Sequence, residues 1–210
     1  MEIEKKGMMF VLSSPSGVGK TTLTKKIAEH NPNFKISISY TTRKPRPNEI
    51  NGTDYCFVTE QEFNTLIKEN SFFEYANIFN NRYGTLKKTV EELLSQGKDV
   101  LFDIDWQGTQ QLKKNKNLSL ITFFILPPNV QVLKERLLNR HKGQENLIEK
   151  RMNKFNEETS HWNEYNYVLV NDNLDTCHEK ILNIIKSEKG GVRQNQNRNE
   201  IEKKIKELIR

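Results

Sequence analysis

Residues 8–23 constrain the fold of this sequence more than any other stretch, because they join three elements in a fixed order. An apolar run at residues 8–12 is typical of a buried parallel strand, and a small glycine-containing loop follows at residues 13–19. Lys20 then opens a helical pattern that continues through Ile27. A strand, a glycine-bearing loop, Lys-Thr and a helix form the phosphate-binding loop, or P-loop, in which backbone N–H groups and the helix dipole favour an anion.

The P-loop predicts a nucleoside triphosphate site with a magnesium ligand. Lys20 would bring a positive charge to the terminal phosphates, and the Thr21 hydroxyl is placed to coordinate Mg²⁺. The first glycine of the motif is Ser14 here, and a surface turn that contains Gly-Lys-Thr is the alternative. The strand before the loop and the helix after it favour phosphate binding. The residues predicted to hold the triphosphate are Ser14, Pro15, Ser16, Gly17, Val18, Gly19, Lys20, Thr21 and Thr22.

Charge and composition argue against several classes of protein. The chain has a formal net charge of +6, but residues 186–210 carry eight Lys and Arg against four Glu, so the rest of the chain is nearly balanced. Nucleic-acid binding is therefore not favoured. No apolar run is long enough to span a membrane, and Cys56 and Cys177 lie in no metal-ligand spacing. We expect a reduced, cytoplasmic protein without a membrane segment.

Apolar strands alternate with helical patterns along the chain, which predicts an α/β fold with a parallel sheet covered by helices. Residues 39–85 interrupt this alternation and are expected to form an inserted subdomain, in which residues 72–79 predict a strand and residues 80–82 a turn. Asp103 and Asp105 close a later buried strand. Ligands of parallel sheets bind at the carboxyl ends of the strands, so we expect these carboxylates at the same edge as the P-loop.

A second anion site is indicated by Arg43 and Arg46. They lie on a loop that two prolines keep out of regular structure, with Tyr55 and Tyr83 further along the chain. The planar guanidinium group engages phosphate oxygens in a bidentate manner, so this set is suited to a second phosphate. A solvated basic turn is the alternative.

The motif TTRKPRPNEINGTDYCFV, residues 41–58, resembles the signature of guanylate kinases. The motifs DIDWQG at residues 103–108 and VND at residues 170–172 are also similar to that family. The resemblance runs from about residue 8 to 185 with the motifs in order, and it does not cover the tail. It implies Mg²⁺-dependent transfer of a phosphoryl group from ATP to GMP, and also to dGMP, which gives ADP and GDP.

The resemblance also implies a division of the chain: a P-loop core of parallel sheet and helices, an inserted mixed α/β subdomain that binds the nucleoside monophosphate, and a helical lid. The expected segments are 1–38 (core), 39–85 (GMP-binding subdomain), 86–135 (core), 136–151 (lid), 152–189 (core) and 190–210 (polar linker and short amphipathic helix).

On this resemblance the GMP-binding residues are Ser39, Arg43, Arg46, Tyr55, Glu74, Tyr83, Thr85 and Asp103. The arginines and tyrosines would hold the phosphate, whereas Glu74, Ser39 and Thr85 would meet the base. A carboxylate accepts hydrogen bonds from the guanine N1–H and exocyclic amine, and adenine offers no such pair of donors. The division of guanine-side and Mg²⁺-linked roles between Asp103 and Asp105 stays open, and both could be structural.

The catalytic residues implied by the resemblance are Lys20, Arg46, Arg140 and Arg151. Lid arginines would close over the phosphoryl group in transit, offset its charge and exclude water. Arg136 and Asn171 would bind ATP, although Arg136 could lie on a solvated helix face and Asn171 could form a turn. Residues 141–143 depart from the usual start of the lid.

Three interpretations compete with a catalytic kinase for GMP. The first is a noncatalytic binding module, against which the retained Lys20 and lid arginines argue. The second is a kinase for another nucleoside monophosphate, against which Glu74 argues. The third is nucleic-acid binding through residues 186–210, which lack interleaved aromatic residues. The apolar stripe of that tail favours packing on the body or on another subunit, so a homo-oligomer through the C-terminal helix is left open.

Overall fold

A computed structural model describes residues 6–140 and 143–209. The elements are β1 (Met9–Ser13), α1 (Lys20–His30), β2 (Phe34–Ile36), β3 (Tyr40–Thr41), β4 (Cys56–Phe57), α2 (Glu60–Lys68), β5 (Phe72–Ile78), β6 (Asn81–Leu86), α3 (Lys87–Ser95), β7 (Asp99–Asp103), α4 (Trp106–Lys114), β8 (Leu120–Leu126), α5 (Val130–Arg140), α6 (Glu145–Ser160), a 3₁₀ helix (His161–Glu164), β9 (Tyr167–Val170), α7 (Leu174–Lys189) and α8 (Arg198–Leu208). None of the helices in the described ranges combines the length and the hydropathy of a membrane-spanning segment.

The core is a five-stranded sheet with the order β2-β7-β1-β8-β9. Strands β2 and β7 pair in parallel, as do β8 and β9. All five residues of β1 are buried, and so are most residues of β7 and β8. Strands buried on both faces require helices on both sides of the sheet, and this explains their continuous apolar sequences. The predicted α/β fold with a parallel sheet flanked by helices is confirmed.

The chain divides into two compact units. Among the described residues, the first comprises residues 6–11 and 31–121, and the second comprises residues 12–30, 122–140 and 143–209. In the first unit, β1 residues Met9 and Val11 pack with Phe102 on β7 and with Val90 and Leu112 on the helices α3 and α4. This apolar cluster fixes the end of β7, and therefore the start of α4, to the sheet.

The first unit also contains a four-stranded sheet with the order β4-β3-β6-β5. Strand β6 pairs antiparallel with both β3 and β5. The hairpin between β5 and β6 turns at Phe79 and Asn80, which have φ values of +47° and +65°. The turn predicted at residues 80–82 is therefore wrong by one or two positions, because Asn81 and Arg82 already pair with Ile78 and Asn77.

In the second unit, α1 and α7 are joined by polar contacts. Lys26 forms an ion pair with Asp175. The rings of His30 and His178 lie 5.2 Å apart between centroids, and His178 is buried. Burial, assisted by the nearby charges of His30 and Lys26, lowers the pKa of His178 below its usual value.

The tail of the second unit is bound to the edge strand β9. The amide of Gln196 accepts a hydrogen bond from the backbone N–H of Val168 at 2.8 Å and donates one to its carbonyl at 3.0 Å. Arg198 donates to the carbonyl of Tyr165 at 2.7 Å and to that of Asn166 at 3.0 Å. The Gln196 side chain therefore forms hydrogen bonds with backbone groups of Val168 that an edge strand would otherwise leave unpaired.

Candidate active site

The P-loop lies between β1 and α1 in the second unit, and its two glycines are required by geometry. Gly17 and Gly19 have φ values of +91° and +101°, where other residues are strained. A Cβ atom on Gly17 would lie 2.7 Å from a methyl group of Leu137, and one on Gly19 would lie 2.8 Å from the amide nitrogen of Asn171. Backbone conformation and close packing thus both select glycine here.

Arg136 and Asn171 hold the P-loop through the carbonyl of Val18. The Asn171 amide donates to this oxygen at 2.8 Å, and Arg136 donates to it at 3.1 Å. A second Arg136 nitrogen donates to the carbonyl of Asn171 at 3.2 Å. Arg136 therefore does not lie on a solvated helix face, and Asn171 does more than form a turn, because both side chains hold the loop in shape.

Helix α6 binds the same loop through Ser16. Arg151 donates a hydrogen bond to the Ser16 hydroxyl. Glu158 lies further along the same helix and accepts a hydrogen bond from the backbone N–H of Ser16 at 3.0 Å. Arg151 and Glu158, two residues of opposite charge on α6, therefore orient the first half of the loop. No sequence pattern indicates a role for Glu158, because its partner lies 142 positions away.

The remaining predicted residues of this unit lie at the start of α1 and the end of α5. Lys20 is the first residue of α1 and is half-buried, whereas Thr21 and Thr22 are exposed. Ser14 donates its hydroxyl hydrogen to the carbonyl of the neighbouring Pro15. Arg140 is the last residue of α5 and is exposed. Of the unusual lid residues 141–143, His141 and Lys142 lie outside the described residues.

A second cluster lies in the first unit, where Glu49 joins the two predicted arginines. Arg43 donates two hydrogen bonds to the Glu49 carboxylate, each of 2.9 Å. The backbone N–H of Arg46 donates to the same carboxylate at 2.7 Å, and the Arg46 guanidinium lies 3.7 Å from it. The Arg43 guanidinium also lies 5.2 Å from the centre of the Tyr55 ring, which in turn lies 6.0 Å from that of Tyr83.

The charges in this cluster shift the pKa values of their neighbours. Burial favours the neutral form of Glu49, but the hydrogen bonds from Arg43 and Arg46 outweigh it and hold its pKa below the usual value. Burial, together with the charges of Asp103 and Tyr83, raises the pKa of Tyr55 to about 12. Tyr55 is therefore a neutral phenol near pH 7 and can donate a hydrogen bond to an anion.

Glu74 and Thr85 face one another across the hairpin, and both are buried. They are partners in the register of β5 and β6, and their exposed fractions are 3% and 2%. The Thr85 hydroxyl makes no hydrogen bond to any described residue. Buried polar atoms rarely lack a partner, so this hydroxyl is a candidate for binding a ligand or an ordered water. Ser39, between β2 and β3, is also buried.

Asp103 and Asp105 occupy different local environments. Asp103 is the last residue of β7 and is half-buried. Asp105 is the N-cap of α4: one carboxylate oxygen accepts from the backbone N–H of Gly108 at 3.0 Å, and the other accepts from the Gln107 amide at 3.0 Å. Helix capping therefore uses one oxygen of Asp105, and the Gln107 side chain occupies the other.

The family model for guanylate kinase matches residues 6–188. The chain belongs to the guanylate kinase family. It is 49% identical over 189 residues to the guanylate kinase of Rickettsia prowazekii (strain Madrid E), covering 90% of this chain and 95% of that protein.

Two further comparisons agree with this family. The chain is 47% identical over 186 residues to the guanylate kinase of Rhodopseudomonas palustris (strain ATCC BAA-98 / CGA009), covering 89% of this chain and 84% of that one. Its fold is similar to the crystal structure of guanylate kinase from Anaplasma phagocytophilum, with a TM-score of 0.74 and 33% identity, over 88% and 87% of the two chains.

Within each unit, the fold brings most of the predicted residues of this family member together. The P-loop, Arg136, Arg151 and Asn171 form one cluster. Arg43, Arg46, Tyr55 and Tyr83 form the other. Sequence reasoning had not assigned roles to Glu49, which lies in the family signature, or to Glu158.

Proposed function

We propose that this member of the guanylate kinase family transfers the γ-phosphoryl group of ATP to the phosphate of GMP, giving ADP and GDP, and that it also accepts dGMP. One observation carries the choice of GMP. The buried carboxylate of Glu74 stands opposite the buried hydroxyl of Thr85, in the same unit as two arginines joined through Glu49. A carboxylate and a hydroxyl match the hydrogen-bonding groups of guanine, and paired guanidinium groups match a phosphate.

On the acceptor side, Arg43 and Arg46 hold the phosphate of GMP, and Tyr55 and Tyr83 donate hydrogen bonds to it. Glu74 accepts from the guanine N1–H and amine, with Ser39, Thr85 and Asp103 completing the set. AMP would leave the buried Glu74 carboxylate without these donors, so discrimination by about 10⁴-fold is within reach. The capping role of Asp105 supports assigning the guanine side to Asp103 alone.

On the donor side, backbone N–H groups of residues 14–22 and the Lys20 ammonium hold the phosphates of ATP. Arg136 and Asn171 keep the loop in shape, and they would contact the nucleotide from that position. Arg140 and Arg151 offset the charge on the phosphoryl group in transit. The catalytic residues of this proposal are Lys20, Arg46, Arg140 and Arg151.

The transfer is a direct in-line displacement. A phosphate oxygen of GMP forms a bond to the γ-phosphorus while the bond from that phosphorus to the β,γ-bridging oxygen breaks, and the electron pair leaves with ADP. The acceptor is already an anionic oxygen, so no strong base and no covalent enzyme intermediate are needed. Positioning and charge stabilisation carry the rate, and the histidines take no part.

The residues present fit Mg²⁺ as the accompanying ion. Mg²⁺ prefers oxygen ligands and is usually held by one or two protein groups together with the phosphates of the nucleotide. Thr21 is an exposed residue with a hydroxyl group in the first turn of α1, two positions after Gly19. When bound, the ion would offset charge on the β- and γ-phosphates. The structure uses Asp105 as a helix cap, so Thr21 is the ligand we propose.

The setting of the protein follows from its substrates and cysteines. Cys56 and Cys177 are both free thiols, which fits a reducing compartment that supplies ATP, and we propose the cytoplasm. A homo-oligomer through α8 stays a hypothesis. The apolar stripe of the tail consists of Ile201, Ile205, Leu208 and Ile209. Of these, Ile205 and Leu208 are already buried in the described chain, whereas Ile209 is exposed.

A phosphoryl-transfer assay with ATP and each of GMP, AMP and UMP tests the proposal. GMP should be converted to GDP with one ADP formed per turnover, and AMP and UMP should be poorer by several orders of magnitude. ATP binding without turnover on any monophosphate would favour the noncatalytic module. Faster turnover on AMP or UMP would refute the guanine assignment.

A further inference from the structure

Gly108 lies in the first turn of α4, directly against the carboxylate of Glu74. A Cβ atom added to Gly108 would lie 2.5 Å from the Glu74 Oε2 atom, 3.1 Å from its Cδ atom and 3.3 Å from a methyl group of Ile104. Carbon and oxygen atoms that are not bonded do not approach to 2.5 Å. Any side chain at position 108 therefore requires that either the helix or the carboxylate move.

Helix α4 is hydrogen-bonded to the edge strand β5, so it cannot easily move away from Glu74. The Gln111 amide accepts from the backbone N–H of Tyr75 at 3.1 Å and donates to its carbonyl at 2.7 Å. Asp105 caps the helix through the N–H of Gly108 itself. Tyr75 directly follows Glu74, so these contacts fix the helix to the strand next to the carboxylate. Movement of the helix would break them.

The carboxylate of Glu74 is the group that can move. It is the far end of a flexible side chain, and a change of rotamer leaves the backbone of β5 in place. The residue is buried, however, so a displaced carboxylate has no solvent to move into. A side chain at position 108 would therefore alter where Glu74 presents its oxygens and leave the fold largely intact.

Backbone conformation does not explain glycine at this position. The φ angle of Gly108 is not positive. The residue lies inside helix α4, where glycine is the least favourable residue after proline. The reason for glycine at this position is therefore the space that the Glu74 carboxylate needs.

We propose that Gly108 is a specificity-determining positioning residue, whose lack of a Cβ atom sets the position of the Glu74 carboxylate for the guanine base. The inference rests on the proposed function, because it assigns Gly108 to the recognition of GMP through Glu74. The pair forms one steric unit, so changes at the two positions should not be additive.

The test compares Gly108→Ala with wild type, using GMP and IMP as acceptors. IMP lacks the exocyclic amine and so makes one hydrogen bond fewer to the carboxylate. We expect kcat/KM for GMP to fall by about 10- to 100-fold, the value of a misplaced hydrogen bond to a charged group. The fall should appear in KM for GMP, with KM for ATP within about twofold of wild type, and the preference for GMP over IMP should shrink.

Two further variants complete the design. Lys114→Ala, at an exposed position of the same helix, should leave all constants unchanged. Glu74→Asp shortens the side chain by one methylene, so it should cost less activity in the Gly108→Ala background than in wild type. This smaller cost in the Gly108→Ala background would separate a positioning role from a loss of folding.

Each other outcome overturns the inference. Unchanged GMP kinetics and GMP-to-IMP preference in Gly108→Ala would show that the carboxylate is not displaced. Equal losses for ATP and GMP, or failure to fold both with and without Glu74→Asp, would show a structural role only. Wild-type protein that does not phosphorylate GMP would end the proposed function itself, and this inference with it.

Discussion

Replacing Glu49 by glutamine tests whether one carboxylate organises both arginines of the acceptor side. The wild-type carboxylate accepts two hydrogen bonds of 2.9 Å from Arg43 and one of 2.7 Å from the backbone of Arg46. Glutamine keeps the shape of the side chain, but it carries no charge and has a single acceptor oxygen. Arg43 and Arg46 share one carboxylate oxygen and Arg43 alone uses the other, so at least one Arg43 hydrogen bond must be lost, and one orientation of the amide loses the Arg46 bond as well.

The magnitude follows from the burial of this ion pair. The side chains of Arg43 and Glu49 are 13% and 16% exposed, so water replaces the lost bonds only in part. A hydrogen bond to a charged group contributes about 1.5–3 kcal/mol, and we expect Glu49→Gln to lower the free energy of unfolding by about 2 kcal/mol. KM for GMP should rise about tenfold, since the guanidinium forks are no longer fixed.

The loss of unfolding free energy in Glu49→Gln should be larger at neutral pH than in acid. The pKa of Glu49 in the folded protein lies below its ordinary value of 4.5, so its stabilising contribution is complete above pH 4.5. It is lost as the pH falls through the folded pKa. The difference in unfolding free energy between wild type and Glu49→Gln should therefore be full at neutral pH and shrink in acid.

Urea unfolding at several pH values and steady-state kinetics with GMP provide the measurements. Glu60→Gln is the matched control, because Glu60 pairs with Arg82 at 3.4 Å but is 58% exposed, so this change should cost at most about 0.5 kcal/mol. The reasoning is refuted if Glu49→Gln is no worse than this control, or if its stability difference is the same at every pH.

Three further predictions concern the tail, the acceptor side and the α1–α7 contact. Gln196→Ala, which frees the edge of β9, should lower the melting temperature by several degrees without changing the kinetics; an unchanged melting temperature would deny the tail this role. Thr85→Val should raise KM for GMP several-fold and leave stability unaltered or higher, because the hydroxyl has no partner among the described residues; lower stability with normal kinetics would contradict this. Wild type should lose stability as pH falls below 6.5, since the folded pKa of His178 is depressed, and His178→Gln should weaken this dependence in a pH series of thermal melts; an identical pH profile would exclude His178 as the source.

Local patterns predicted much of the fold. The P-loop was predicted from the order of strand, loop and helix, and β1 (Met9–Ser13) lies within one residue of the strand predicted from the apolar run at residues 8–12. Such features depend on neighbours in sequence, which a single chain displays directly. The shift of the β5–β6 turn shows the limit, since Phe79 adopts a positive φ that an aromatic residue rarely takes.

Long-range polar contacts were not predictable in the same way. Gln111 and Gln196 each pair an amide with the backbone of an edge strand, and Glu158 reaches the P-loop from α6. In the sequence these residues are indistinguishable from solvated side chains. The closeness of Gly108 to Glu74 was hidden for the same reason, because no local periodicity records which residue a glycine faces.

The most direct test of the account is turnover of ATP with GMP in wild type, Lys20→Met and Arg46→Ala. The account predicts that wild type forms GDP, and that Lys20→Met lowers kcat by about 10²- to 10³-fold, as expected when one charge-stabilising donor is removed. Arg46→Ala should lower kcat/KM for GMP by a similar factor while ATP binding is retained. Near wild-type turnover in both variants would contradict the assignment of the two phosphate sites.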